Sequence, residues 1–375
     1  MKKFLLVPDS FKGTLTSKEI CEAMRDTIAL HYPDASVIHI PVADGGEGSV
    51  DCFLSAVGGQ LIKCKSVNPF FEEMEGFYGL IDGGRTAVIE MAACAGLPLV
   101  EDRKDPMRAT TYGVGLCIKD ALKRGAKRII LGLGGSATND FGCGAAAAMG
   151  ILFYNERGEE FIPTGGSLCE VAKIKRSADF SCRSDVEFIL MCDVKNLVYG
   201  INGASFVYAR QKGADDEQIK ILDDGLRHIS KITHRDFGID VSELEGGGAA
   251  GAMAGGMAAF FGATIRMGID VVLDTVGFDS LLENTDVVFT GEGRIDSQSL
   301  EGKVISGVAK RAKAKNVPVI AVVGGAEGDI SSMYDIGVNS VFTINRLPED
   351  FSVSRYKSKE NLINTFDNIM RVLKI

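Results

Sequence analysis

Several apolar stretches of this 375-residue chain run into turns that carry glycine beside a carboxylate or an amide. Val42 leads into Ala43-Asp44-Gly45-Gly46-Glu47-Gly48. Leu133 leads into Gly134-Gly135-Ser136-Ala137-Thr138-Asn139-Asp140, and Phe289 into Thr290-Gly291-Glu292-Gly293-Arg294. Val7 before Asp9 and Leu190 before Asp193 repeat the pattern more loosely. Glycine lets backbone N–H groups come close to phosphate oxygens, and a following helix N-terminus adds partial positive charge. Carboxylates at the same edge can hold Mg²⁺, which wants oxygen ligands, or take a proton from an alcohol. Together these are the parts of a phosphoryl-transfer site. One such turn usually does no more than join a strand to a helix; five with acidic or amide residues point to a shared site.

Cations that could answer the charge of an anionic substrate are Lys12, in the turn after the first strand, Lys303, after Gly302, and Arg294, whose guanidinium could clamp a carboxylate. For the two lysines, a solvated surface position is an equally good reading of the sequence. The four histidines show no metal-ligand spacing and read as structural, and no Ser-His-Asp arrangement can be argued. There is no G-x-x-x-x-G-K-[ST] loop, which excludes a P-loop nucleoside triphosphatase. Gly132-Leu133-Gly134-Gly135 misses the spacing of a dinucleotide fingerprint.

The elements that must carry these turns alternate. Residues 4–7 read as a strand buried on both faces, Ser17 as the cap of a helix, residues 37–42 as a second strand and 50–57 as a helix. Residues 60–92 read as antiparallel strands. A helix over 111–123, a strand over 128–133, a close-packed helix over 142–149, a strand over 187–191 and an amphipathic helix over 215–232 follow. Residues 246–262 are almost all Gly, Ala, Met and Phe; glycine weakens a helix by up to ~1 kcal/mol relative to alanine, so close backbone contact is expected there. Strand–helix alternation then returns over 286–290, 304–315, 317–323 and 340–343, with a closing helix at 359–373. The simplest architecture is a doubly wound domain made from both chain ends, residues 1–62 and 268–375, with a mixed α/β domain, residues 63–267, inserted. In such sheets ligands bind at the carboxyl ends of the strands, where these turns lie.

Composition is that of a globular chain, 46% hydrophobic and 24% charged, and its length suggests two or three domains. The 45 glycines exceed the usual ~7% of residues, yet are neither periodic nor accompanied by many prolines. A net charge of −9 without a basic block argues against nucleic acid or anionic membrane as partners. The nine scattered cysteines read as reduced buried thiols of a cytoplasmic protein. The N-terminal apolar run is too short for a signal sequence, and no stretch approaches the ~18 apolar residues of a membrane span.

These blocks resemble the class I glycerate kinases (glycerate 2-kinases) over essentially the whole chain. The matching stretches are Pro8-Asp9-Ser10-Phe11-Lys12-Gly13-Thr14-Leu15, Pro41-Val42-Ala43-Asp44-Gly45-Gly46-Glu47-Gly48, residues 132–140, Cys192-Asp193-Val194 and residues 290–303. The chain departs from the family pattern at Phe141, where glycine is usual, at Leu197, where proline is usual, and at Val304-Ile305-Ser306, where a proline usually lies.

The resemblance implies ATP- and Mg²⁺-dependent phosphorylation of D-glycerate, with 2-phosphoglycerate favoured over 3-phosphoglycerate. It also implies a Rossmann-like domain carrying an inserted α/β domain, and an active site in the cleft between them. On that basis Gly134, Gly135, Ser136, Thr138 and Asn139 are expected at the ATP phosphates. Asp193 and Asp44 are expected as Mg²⁺ ligand and catalytic base in either order. Lys12, Ser10 and Arg294 are expected at the glycerate carboxylate, and Glu292 and Asp296 at its hydroxyls. Asn139 and Asp140 could instead cap the helix that follows them. The expected partners are D-glycerate and ATP, and the expected state is a monomer or homodimer. An oxidoreductase would need the missing dinucleotide fingerprint. A non-catalytic sensor should have lost some of the acidic turn residues.

Overall fold

The structure, a computed structural model, describes residues 1–42, 45–178, 185–295, 304–345, 347 and 349–374. The chain divides into two compact units: Met1–Ala43 with Ser55–Val57 and Met267–Ile375, and Asp44–Leu54 with Gly58–Arg266.

The first unit is built on an all-parallel five-stranded sheet. Its order is Val338–Thr343, Val319–Val323, Val287–Gly291, Lys3–Pro8, Ser36–His39. The inner strands are apolar along their length, as burial on both faces requires: Leu5, Leu6 and Val7 are fully buried, as are Val288 and Phe289. The chain leaves the first strand toward one edge and later resumes on its other side. The reversal of winding therefore falls between Lys3–Pro8 and Val287–Gly291. Helix Ser17–His31 and helix Ser358–Leu373 cover one face; Phe366 stands edge-on to Phe289 with centroids 4.8 Å apart, and His31 Nε2 meets Asp367 Oδ1 at 2.6 Å.

The expected cap at Ser17 is corrected by one residue. Thr16 is the cap: its hydroxyl accepts from Glu19 N at 3.2 Å, while the Glu19 carboxylate accepts from Thr16 N at 2.8 Å. Ser17 is buried, and its hydroxyl donates to Pro8 O at 2.6 Å and accepts from Val42 N at 2.9 Å. It ties together the ends of the first two strand regions rather than capping the helix.

The second unit holds a six-stranded mixed sheet in the order Thr264–Arg266, Glu187–Met191, Arg128–Gly132, Thr86–Glu90, Glu73–Ile81, Gln60–Val67. The last three pair antiparallel, as alternation over 60–92 predicts, and Thr86–Glu90 also pairs parallel with Arg128–Gly132. A small antiparallel sheet of Ile151–Tyr154, Glu160–Phe161 and Lys173–Arg176 flanks it. The Gly/Ala helix runs from Ala249 to Phe261. Its first turn is left-handed at Ala250, Gly251 and Ala252, with φ of 56°, 67° and 65°. The close approach expected of it is to the turn after strand Arg128–Gly132. A Cβ on Gly256 would lie 1.8 Å from Phe141 O, and one on Gly251 2.1 Å from Thr138 O. Phe141 N donates to Gly251 O at 3.1 Å. Phe141, where the resembled family carries glycine, itself has φ 58° and packs its ring edge-on against Phe260 at 5.9 Å. No helix among the described residues is long and apolar enough to cross a membrane.

Two glycines of this helix separate steric from conformational need. Gly256→Ala should lower the unfolding free energy by about 3 kcal/mol, since backbone must move. Gly262→Ala, at a left-handed C-cap with open space around it, should cost about 1 kcal/mol. Urea unfolding midpoints at unchanged m-value measure both.

Candidate functional site

In the second unit, strand Arg128–Gly132 feeds the turn 133–140 at its carboxyl end. Three backbone bonds hold that turn: Gly134 N to Gly45 O at 2.9 Å, Leu97 N to Gly135 O at 2.9 Å, and Ala137 N to Ala95 O at 2.8 Å. A Cβ on Gly134 would fall 2.5 Å from Gly46 Cα, so position 134 must be glycine for the two turns to stack. The Gly134 and Ala137 N–H groups are thereby engaged within the protein. Among the described residues no acceptor engages the N–H of Gly135 or Ser136. Gly135 is left-handed, with φ 72°. A cavity of about 310 Å³ opens here, lined by Gly46, Leu97, Leu133, Gly134, Gly135 and Ser136, by Met191, Cys192, Asp193 and Val194, by Tyr208, Gln211 and Lys212, and by Ala249 and Ala250.

Of the residues expected at the phosphates, Gly134, Gly135 and Ser136 line this cavity. Thr138 and Asn139 are fully buried and do not line it. Asn139 Nδ2 donates to Ser205 Oγ at 3.1 Å, while Asn139 Oδ1 and Thr138 Oγ1 have no hydrogen-bond partner. Asp140 takes the capping alternative. Its buried carboxylate accepts from Thr111 N at 2.8 Å, Thr111 Oγ1 at 2.9 Å, Gly142 N at 3.0 Å and Gly144 N at 3.2 Å. It thus joins the N-termini of helices Tyr112–Lys123 and Cys143–Ala148. Burial pushes its carboxyl above the usual range against the pull of those donors.

Two side chains at this site escape sequence reasoning. Lys212 closes the short turn Arg210–Lys212 ahead of left-handed Gly213, and it is only 2% exposed. Its ammonium donates to Ser136 Oγ at 2.9 Å and Thr138 O at 2.7 Å. Burial pulls its titration down to about 7, and the carboxylate of Asp140 opposes that shift. Nothing local in Arg210-Gln211-Lys212-Gly213 marks it out. Glu90 closes the wholly buried strand Thr86–Glu90, and its Oε1 accepts from Val50 N at 2.7 Å at the start of helix Ser49–Val57. An acidic residue ending an apolar strand was the signal for it. Desolvation raises its carboxyl above the ordinary value.

Asp193 follows strand Glu187–Met191 onto the cavity wall and is exposed. Behind it, Cys192 Sγ donates to Val194 O at 3.3 Å. Among the described residues no cluster of three or more His, Cys, Asp or Glu could cage a metal ion. Mg²⁺ fits a different arrangement, with one or two carboxylates and the remaining ligands from phosphate and water. Asp193 beside a glycine turn offers that donor set. Asp44 lies outside the described residues.

In the first unit, Ser10, Lys12, Glu292 and Arg294 gather where the winding reverses, the place at which open α/β sheets bind ligands. Asp9 N donates to Gly291 O at 2.8 Å, and Ser10 N donates to Asp9 Oδ1 at 2.6 Å. A Cβ on Gly293 would meet Lys12 N at 3.3 Å, so the two turns touch through backbone. Lys12 is exposed and Ser10 half-buried. Glu292 is buried, and its Oε1 accepts from Ile305 N at 3.3 Å, in the first turn of helix Val304–Ala314. Arg294 is exposed and ion-paired with Glu327. Asp296 and Lys303 lie outside the described residues.

Comparison with known proteins places these turns in context. The glycerate kinase family profile matches residues 4–374. A glycerate kinase of Bacillus cereus (strain ATCC 10987) is 41% identical over 374 residues, covering 100% of this chain and 98% of the relative. A glycerate 2-kinase of Escherichia coli K12 is 38% identical over 343 residues, covering 91% of this chain and 90% of the relative. A crystal structure of a protein assigned as glycerate kinase 2 from Salmonella typhimurium LT2 superposes with a TM-score of 0.88 at 37% identity, covering 100% and 98% of the two chains.

The lowered titration of Lys212 sets a pH dependence of stability. Below about pH 7 the lysine is charged in both native and unfolded chains, and the native state bears the burial of that charge. Between about 7 and the ordinary lysine value of 10.5 the unfolded chain holds a proton that the native chain has released. Stability from this group therefore rises with pH across that window, by up to about 1.4 kcal/mol per pH unit. Lys212→Met should flatten that part of the profile, as urea unfolding at pH 6.5, 8 and 9.5 would show.

Proposed function

Because the chain belongs to the glycerate kinase family, and is thus a kinase by descent, we propose that it transfers the γ-phosphoryl group of ATP to D-glycerate, with Mg²⁺, giving 2-phosphoglycerate in preference to 3-phosphoglycerate. One observation carries this reading: Gly135 and Ser136, whose N–H groups have no acceptor among the described residues, line the same cavity as a carboxylate, Asp193. Backbone donors for phosphate and a carboxylate for metal or proton are the minimum that phosphoryl transfer requires.

In the proposed reaction the Gly134–Ser136 turn cradles the ATP phosphates, and buried Thr138 and Asn139 hold the turn from behind. One of the carboxylates Asp193 and Asp44 would hold Mg²⁺, which would supply neutralisation of charge on the phosphate oxygens. Asp193 and Asp44 share the roles of metal ligand and base, in an order left open. The base takes the proton of the attacking glycerate hydroxyl as its oxygen bonds to the γ-phosphorus and the bond to the ADP oxygen breaks. Lys12, Ser10 and Arg294 grip the substrate carboxylate, and Glu292 and Asp296 orient its hydroxyls. Residues 1–62 and 268–375 as the Rossmann-like domain, with 63–267 inserted, belong to the same proposal.

Phosphorus NMR of the protein with Mg·ATP and D-glycerate tests this directly and reports which hydroxyl receives the phosphate; absence of any phosphoglycerate discards the reading. Asp193→Asn should lower kcat at least ~10²-fold, and near-normal turnover removes Asp193 from the chemistry. Arg294→Ala should raise KM for glycerate while leaving KM for ATP unchanged, measured by steady-state kinetics with each substrate varied.

A further inference from the structure

Lys212 is a buried cation that the fold's own stability does not explain. Its ammonium has three N–H donors, and the structure accounts for two acceptors, Ser136 Oγ and Thr138 O, both neutral. Among the described residues it forms no ion pair, and the carboxylate that influences it, Asp140, is engaged by four donors of its own. A buried charge without a counter-charge is costly, and a neutral side chain of similar length would fill the space without that cost. Lys212 nonetheless reaches the wall of the cavity that Gly135 and Ser136 line. The missing element at this point is an anion.

We infer that Lys212 is the cation of a phosphate-binding site, completing with the N–H groups of Gly135 and Ser136 a pocket for the terminal phosphates of a nucleotide or a polyphosphate. The inference deepens the proposed function and rests on it for the identity of the ligand. Lys212 contributes twice. Its bonds to Ser136 and Thr138 hold the glycine turn in register, and its charge offsets that of the bound phosphate. The chain is acidic overall, and an interior cation gives the phosphate a local attraction. The titratable groups around it are Asp140 behind the turn, and Asp193, Cys192 and Tyr208 on the cavity wall.

Inorganic pyrophosphate is the probe, because it presents phosphate without a base, a sugar or glycerate. Isothermal titration at pH 6.5 should show pyrophosphate and ADP binding wild-type protein. Both should bind Lys212→Met about 10- to 100-fold more weakly, the range expected for a charge-assisted bond, with Lys212→Arg recovering part of the loss. Wild-type protein that binds neither ligand, equal affinity in wild type and Lys212→Met, or equal loss in the Met and Arg variants each overturns the inference. If Lys212→Met does not fold, wild-type protein labelled with ¹³C at lysine Cε decides. The Lys212 signal, assigned by its absence from the Lys212→Arg spectrum, should shift on saturation with pyrophosphate, and an unmoved signal overturns the inference. Turnover of ATP and glycerate is scored separately. Lys212-dependent pyrophosphate binding without turnover refutes the proposed function and keeps this site; turnover with binding indifferent to Lys212 does the reverse.

Discussion

The contact on which the second unit depends is backbone against backbone. The Gly/Ala helix comes so close to the turn after strand Arg128–Gly132 that the space at Gly256 is taken by Phe141 O and that at Gly251 by Thr138 O. Packing at this distance excludes side chains larger than hydrogen and accounts for a helix that is weak by propensity. In return the turn is held from behind along its length, and its front, at Gly135 and Ser136, is left for the cavity. The left-handed residues Ala250 to Ala252 sit at the same contact. Backbone strain of this kind persists only where surrounding structure over-determines it.

Polar groups follow from that arrangement. Once the turn is buried, its carbonyls and hydroxyls need partners, and Lys212 reaches in to Ser136 and Thr138. Asp140 does the same work on the other side, joining the starts of two helices through four hydrogen bonds. Glu90 secures the start of helix Ser49–Val57 beside the Gly45-Gly46 turn. Three buried ionisable groups therefore surround one glycine turn. Desolvation is the largest influence on each and drives each toward its neutral form. Of the three, Lys212 lines the cavity, and a group so perturbed at a cavity is where a protein can couple proton and anion binding.

In the first unit the organising feature is the reversal of winding between Lys3–Pro8 and Val287–Gly291. It brings two turns far apart in sequence, Asp9-Ser10-Phe11-Lys12 and Gly291-Glu292-Gly293-Arg294, into backbone contact. Hydroxyl, ammonium, carboxylate and guanidinium groups thus share one sheet edge. The Ser17 hydroxyl, bonded to Pro8 and Val42, fixes the ends of the neighbouring strand regions.

The sequence by itself determined the glycine-bearing turns and the alternation of strands and helices that bears them. Glycines, caps and apolar runs act locally, so Gly134-Gly135-Ser136, Asp193 and the antiparallel stretch over 60–92 were legible in it. It also showed that residues 246–262 must touch backbone, though not what they touch. Tertiary structure decided the rest, because the deciding contacts join residues distant along the chain. It moved the cap from Ser17 to Thr16, since Ser17 was needed by Pro8 and Val42. It spent the Gly134 N–H on Gly45, turned Asp140 into a helix clamp and withdrew Thr138 and Asn139 from the cavity wall. It also brought in Lys212, 76 residues beyond Ser136. A lysine before a glycine looks solvated in one dimension; only the fold, by removing it from water without a counter-charge, gives it a reason to bind an anion.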